Sequence, residues 1–213
     1  MPIDFKKTQK ELYNPKTTPC IIDLPQMTFI MVDGQGDPNT SEQYKYALEI
    51  LYGLSYAIKM SKMSGNQPDG YYEYVVPPLE GLWWSSNSDG SFDMSDKDSF
   101  CWTSMIRQPE FVTGQVLDMA KTLFAKKKPE LDLSSARLGN LAEGLCVQVM
   151  HIGSYDNEAA TVEAMEQYAA DNGYAVDISD TRRHHEIYLS DPRKTAPEKL
   201  KTVIRIPVRG IDK

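Results

Sequence analysis

Cysteine is scarce in this chain: three residues in 213, Cys20, Cys101 and Cys146, with no Cys-x-x-Cys pair and no Cys/His zinc spacing. That excludes a disulfide-stapled scaffold and a structural zinc site, and predicts three buried, reduced thiols. Positive charge is short as well, since 23 Lys and Arg stand against 30 Asp and Glu, for a net charge of −7. Binding DNA or RNA needs a concentrated basic face, so no direct nucleic-acid partner is expected. The one basic run, Lys126 to Lys128, closes a predicted helix, where it complements the helix dipole. Long apolar runs are missing too. No stretch reaches the length of a membrane span, and the opening "MPIDFKKTQKELY" has no signal-type hydrophobic segment, so the expectation is a cytoplasmic protein without a membrane partner. The turn Gly34-Gln35-Gly36 lacks both the Lys-Ser/Thr of a P-loop and the third glycine of a dinucleotide fingerprint, and it reads as a tight turn. Neither a cofactor nor a metal is expected.

What is present suffices for a core, at 41% apolar residues. The run "MTFIMVDGQGDPN" reads as a strand ending at Gly34. A helix follows, with capping-box spacing at Thr40 and Gln43 and an apolar stripe through Tyr44, Leu48, Leu51, Tyr52, Ser55 and Ile58. Two strand-like runs come next, "YYEYVVPPLEGLWW" and "DSFCWTSMIRQP", joined by the polar loop "SSNSDGSFDMSDK". The order strand, helix, strand, strand then returns in "GLCVQVMHIGSYDN", "EAATVEAMEQYAADNG", "HHEIYLSDP" and "LKTVIRIPV". Laid in register, Gly34 to Asp37 falls over Gly153 to Asp156, "MIRQP" over "VIRIP", and "LEGLWW" over "HEIYLS", which sets Glu80 on Glu186. The fold class predicted is α+β: duplicated strand-helix-strand-strand units whose antiparallel sheets, related by a pseudo-twofold, form a central cleft. The boundaries predicted are an N-terminal arm over 1–26, with one short helix, and a ligand-binding domain over 27–213. Within that domain lie a first unit (27–109), a connecting helix and linker (110–143) and a second unit (144–213).

The stretches "PPLEGLWW", "HIGSYDNE" and "HHEIYLSDPRKTAPEKLKTVIRIPV" resemble the GyrI-like small-molecule-binding family. The resemblance implies a ligand cleft between two such units, with the strand glutamate Glu186 on its floor facing cationic or aromatic ligands. No DNA-binding domain is read beside it, so a stand-alone module is expected. The "PLEGLWW" strand is similar to that of the cyclopropanoid hydrolases, which open the cyclopropane ring of DNA-alkylating natural products with water.

From these readings come the candidate residues. Glu186 is the candidate general base with Glu80 second, the two expected on opposite sides of one cleft, where aromatic walls desolvate a carboxylate and raise its pKa. Trp84 and Trp102 are the expected aromatic contacts, and Trp83, on the other face of its strand by the period of two, is expected nearer the core. Tyr188 shares the face of Glu186 and is a candidate hydrogen-bond donor. His184 lies on that face and His185 on the other. His151 is expected at the cleft rim, followed by Tyr155 in the turn. Tyr71, Tyr72 and Tyr74 read as an edge strand over the first helix. The expected partner is a hydrophobic aromatic small molecule, bound by a monomer or weak dimer. A sequestering module without chemistry, and a gyrase inhibitor, are the alternative functions.

Overall fold

The computed structural model describes residues 1–85 and 96–211. Most of the polar loop expected between the two later strands of the first unit, residues 86–95, lies outside the described residues. The helices are α1 (Phe5–Thr8), α2 (Lys10–Tyr13), α3 (Glu42–Lys59), α4 (Gly114–Ala125) and α5 (Glu158–Asp171). The strands are β1 (Cys20–Leu24), β2 (Met27–Gln35), β3 (Leu79–Ser85), β4 (Phe100–Arg107), β5 (Arg137–Leu141), β6 (Gly144–Ile152), β7 (Tyr174–Val176), β8 (His184–Tyr188) and β9 (Lys201–Gly210).

Among the described residues, the nine strands join one antiparallel sheet in the order β1-β6-β9-β8-β3-β4-β2-β5, with β7 added along β9. The sheet curls strongly into a half-barrel, and the fold is mixed α+β. Alternation along the strands separates its faces. Ile30, Val32, Trp83, Trp102 and Ile106 point to a front face covered by α3 and α4, and Val147, Val149, Ile204 and Ile206 point to the same face under α5. Phe29, Met31, Met105, Ile187 and Val203 point to the back, where they meet Phe5, Leu12 and Tyr13 of α1 and α2.

Local chemistry explains where the elements begin. Ser41, one residue after the expected cap, accepts the Tyr44 N–H at the start of α3, and Gln43 turns back to the Gln35 backbone instead of closing a capping box. Strand β3 starts only at Leu79, because Pro77 and Pro78 have no N–H to give a ladder. The expected tyrosine edge strand therefore does not form. Apart from a single bridge from Tyr74 to Ile3, that segment rests on α3 through its side chains, with Tyr71 donating to the Lys59 carbonyl at 2.7 Å. The arm and the linker each bring a strand that composition did not reveal: β1 pairs with β6, and β5 pairs with β2. The arm also carries two short helices instead of one. All three cysteines are free thiols, but only Cys146 is fully buried, and Cys20 and Cys101 are half-buried.

Candidate functional site

The centre of the sheet is the pairing of β3 with β8. Gly81 stands opposite Glu186, Trp83 opposite His184, Glu80 opposite Ile187 and Leu82 opposite His185. Residues directly opposite in an antiparallel pair share a face. The front face therefore carries Gly81, Trp83, His184, Glu186 and Tyr188, and the back carries Glu80, Leu82, His185 and Ile187. Glu80 and Glu186 do not face each other across one cleft, contrary to the sequence expectation.

On the front face a cleft of about 1770 Å³ opens between α3 and α5. Glu186 lies on its floor, and Trp83, Tyr44, Tyr52, Tyr155 and Tyr188 are among its walls. Gly81 makes room for this arrangement: a Cβ there would lie 2.7 Å from the Trp83 indole nitrogen and 3.3 Å from the Tyr188 hydroxyl. In that space Trp83 Nε1 donates to Tyr188 Oη at 2.8 Å. The Tyr44 and Trp83 ring centroids are 6.1 Å apart, and those of Tyr155 and Tyr188 meet edge to face at 5.8 Å.

Three polar side chains gather at the floor. His184 Nε2 lies 3.2 Å from Glu186 Oε1. Glu158, from the first turn of α5, is only 1% exposed and hydrogen-bonds Glu186, while its own Oε1 has no partner among the described residues. Burial, together with the adjacent Glu186, pushes the Glu158 carboxyl up to about 10, so one of the two carboxyls keeps a proton at neutral pH. The tyrosines are shifted the same way. Burial first and Glu186 second raise Tyr155 to about 12 and hold Tyr188 well above its ordinary value, so both phenols stay neutral. One ligating atom from each of Glu158, His184 and Glu186 falls within 4.8 Å of the others, a spacing that admits a metal ion and equally a proton shared between carboxyls.

The back face holds a different arrangement. Glu80, 1% exposed, accepts from His185 Nε2 at 3.0 Å and from the Tyr13 hydroxyl at 3.3 Å. His185 Nδ1 lies 2.8 Å from Glu143, whose other oxygen takes Arg205 at 3.2 Å, and Arg205 reaches the Leu12 carbonyl at 2.7 Å. This buried ionic chain fastens α2 to the sheet. Burial alone works against a charged His185, but Glu143 and Glu80 overcome it and raise the imidazole to about 9.

The other expected residues sort accordingly. Tyr155 and Tyr188 line the cleft, and Trp83 does so in place of Trp84. Trp84 points away from that face and carries the Arg183 guanidinium 4.7 Å from its ring centre. Trp102 shares the front face but is fully buried, stacked edge-on to Tyr44 at 5.0 Å over Gly34, where no side chain would fit. His151 is locked between Thr161 and the Ser154 carbonyl, at 2.8 and 3.2 Å, and so holds the turn that carries Tyr155 instead of lining the cleft. Two residues of the site escaped the sequence reading. Tyr44 was legible only as part of a helical stripe, and Glu158 only as the first-turn acid that any helix dipole favours.

No curated protein matches the chain. A hydrolase from Listeria innocua is 49% identical, with a TM-score of 0.89 over 97% of this chain and 100% of its own. An uncharacterized conserved protein from the same organism is 51% identical, with a TM-score of 0.92 over 97% of this chain and 100% of its own. The C-terminal domain of EcmrR shares the fold alone, at 12% identity and a TM-score of 0.54 over 91% of this chain and 98% of its own. The GyrI-like small molecule binding domain matches residues 17–209, and the chain belongs to that family.

Proposed function

We propose that this protein is a hydrolase that opens the cyclopropane ring of DNA-alkylating cyclopropanoid natural products, of the yatakemycin and duocarmycin type, and so detoxifies them. The observation that carries the reading is a carboxylate, Glu186, set on the floor of an aromatic cleft beside neutral phenols. The 49%-identical Listeria hydrolase supports a hydrolytic role. A flat polyaromatic ligand stacks on Trp83 and Tyr44, which offer large rigid surfaces at low entropic cost. The oxygen of a water bonds to the cyclopropane methylene as the ring C–C bond breaks, and the electron pair moves into the conjugated carbonyl oxygen, which becomes a phenolate. Glu186 takes the proton of the water and returns it to solvent, and the phenolate oxygen gains a proton, so the net change is addition of one water. Tyr188 donates to Glu186, which leaves Tyr155, with no hydrogen-bond partner among the described residues, as the better donor to the developing oxyanion. Glu80, engaged by His185 and Tyr13 on the other face, does not line the cleft.

The pseudo-twofold duplication belongs to the same proposal. Supporting it, the strand order β6-β9-β8-β3-β4-β2 reads alike from both ends once the units are matched. A twofold normal to the sheet keeps a residue and its counterpart on one face. With "MIRQP" kept over "VIRIP", Ile106 matches Ile204, so their sheet partners Leu79 and Glu186 are counterparts, and the alignment of "LEGLWW" with "HEIYLS" slips by one residue.

The size of the cleft and the family's small-molecule binding favour a second reading, a sequestering module without chemistry. Incubation with a cyclopropanoid separates the two. A hydrolase yields product heavier by one water, and a binding module quenches tryptophan fluorescence at one equivalent and returns the ligand unchanged.

A further inference from the structure

Glu158, His184 and Glu186 come from two elements and converge on one place at the cleft floor. His184 and Glu186 stand two apart on β8 and so share its front face, and Glu158 reaches them from the first turn of α5. All three are buried, and among the described residues no other three histidine, cysteine or carboxylate side chains have such spacing. Glu186 is well attended: His184 Nε2 lies 3.2 Å from its Oε1, and the Tyr188 hydroxyl donates to it. Glu158 is not, since its Oε1 is buried with no hydrogen-bond partner among the described residues. A carboxylate oxygen left so is costly, and it points to a ligand from outside the chain.

We propose that Glu158, His184 and Glu186 form a binding site for one divalent transition-metal cation of the zinc class, and that the bound cation withholds Glu186 from water. Two carboxylates cancel the double charge, so the cation would be buried in a neutral assembly. A metal bonded to nitrogen and oxygen at about 2.0–2.2 Å keeps neighbouring ligand atoms roughly 3.0–3.4 Å apart at tetrahedral or octahedral angles. The His184 to Glu186 separation of 3.2 Å falls within that span. The Glu158 ligand atom lies within 4.8 Å of both, and rotation of its side chain closes the set. One imidazole with two carboxylates suits zinc and its neighbours better than magnesium, which takes six oxygens and keeps its waters. The outer hydrogen bonds that orient a ligating carboxylate are present too: Tyr188 donates to Glu186 and itself accepts from Trp83 Nε1 at 2.8 Å. Glu158 and Glu186 line the cleft, so the cation enters from it. Once bound, it engages the oxygen lone pair with which Glu186 takes the proton of water.

The site is tested without any cyclopropanoid, whereas its effect on Glu186 rests on the hydrolase reading. Wild-type protein stripped with a chelator should bind one equivalent of zinc in a calorimetric titration with zinc alone, and magnesium alone should give no comparable binding. Cobalt(II) alone should give visible bands without the sulfur-to-metal charge transfer of thiolate ligands, which sets aside the three cysteines. Glu158→Gln keeps the shape of the side chain and should retain the fold and the metal-free thermal midpoint, yet bind zinc weaker by roughly tenfold or more. His184→Gln should weaken zinc likewise. Unchanged zinc affinity in Glu158→Gln, a thiolate band, or magnesium bound as tightly as zinc overturns the site. With cyclopropanoid, wild-type turnover should fall in proportion to zinc occupancy and return with chelator, and full turnover by the zinc-saturated protein overturns the withholding of Glu186. If zinc binds as described but stripped wild type turns over no cyclopropanoid, the site stands and the hydrolase reading falls. If stripped wild type turns it over but binds no zinc, the site falls and the hydrolase reading stands.

Discussion

Trp83 and Trp84 are neighbours in sequence with opposite surroundings, one facing Tyr188 and the cleft, the other stacked under Arg183. Substitutions should separate them. Trp83→Ala removes a surface that holds ground state and transition state alike and should raise KM about tenfold, the scale of a lost aromatic contact, with kcat little changed. Trp84→Ala should leave both constants near wild type. Gly81→Ala places a methyl 2.7 Å from the Trp83 indole nitrogen and should reproduce the KM effect by displacing that ring, with every aromatic residue kept. Steady-state kinetics on the three variants checks the assignment. The period of two in "LEGLWW" showed that the tryptophans part company. It did not show which face holds the cleft, because that depends on where α3 and α5 pack, and nothing within the strand encodes it. Glu158 was illegible for a related reason: its burial comes from β8, 28 positions along the chain from it.

At the scale of elements, the ionic chain under the sheet makes α2 part of the fold. His185→Ala leaves Glu80 and Glu143 buried beside a missing partner, a loss of about 3–5 kcal/mol expected for a broken buried pair. Urea unfolding measures it. The imidazole is raised from 6.5 in an unfolded chain to about 9, so its contribution is complete below pH 6.5 and disappears as pH rises through about 9. Wild type and His185→Ala should therefore converge in stability on the alkaline side. The longer elements β2, α3, α4, α5, β6 and β9 were legible from their periodicity, and β8, no longer than β1 or β5, from its place in the repeated order strand, helix, strand, strand. The short strands β1, β5 and β7 were not, since three to five residues give no period, and their pairing is dictated by partners far along the chain.

For the molecule as a whole, the curled sheet exposes one concave floor, and α3 and α5 stand on either side of it. The fold requires no cross-link: all three thiols are free, so labelling under denaturing, non-reducing conditions should find three. In the folded protein Cys146 should react slowest, because burial pushes its thiol up to about 12. The central claim concerns what the cleft does to a ligand, and the most direct measurement is mass spectrometry of a cyclopropanoid incubated with wild type and with Glu186→Gln. The account predicts conversion by wild type to a product heavier by one water, and a kcat lower by roughly a hundredfold or more in the variant, with ligand binding retained. Equal rates of ring opening in the two proteins, or a ligand recovered unchanged from wild type, would contradict it.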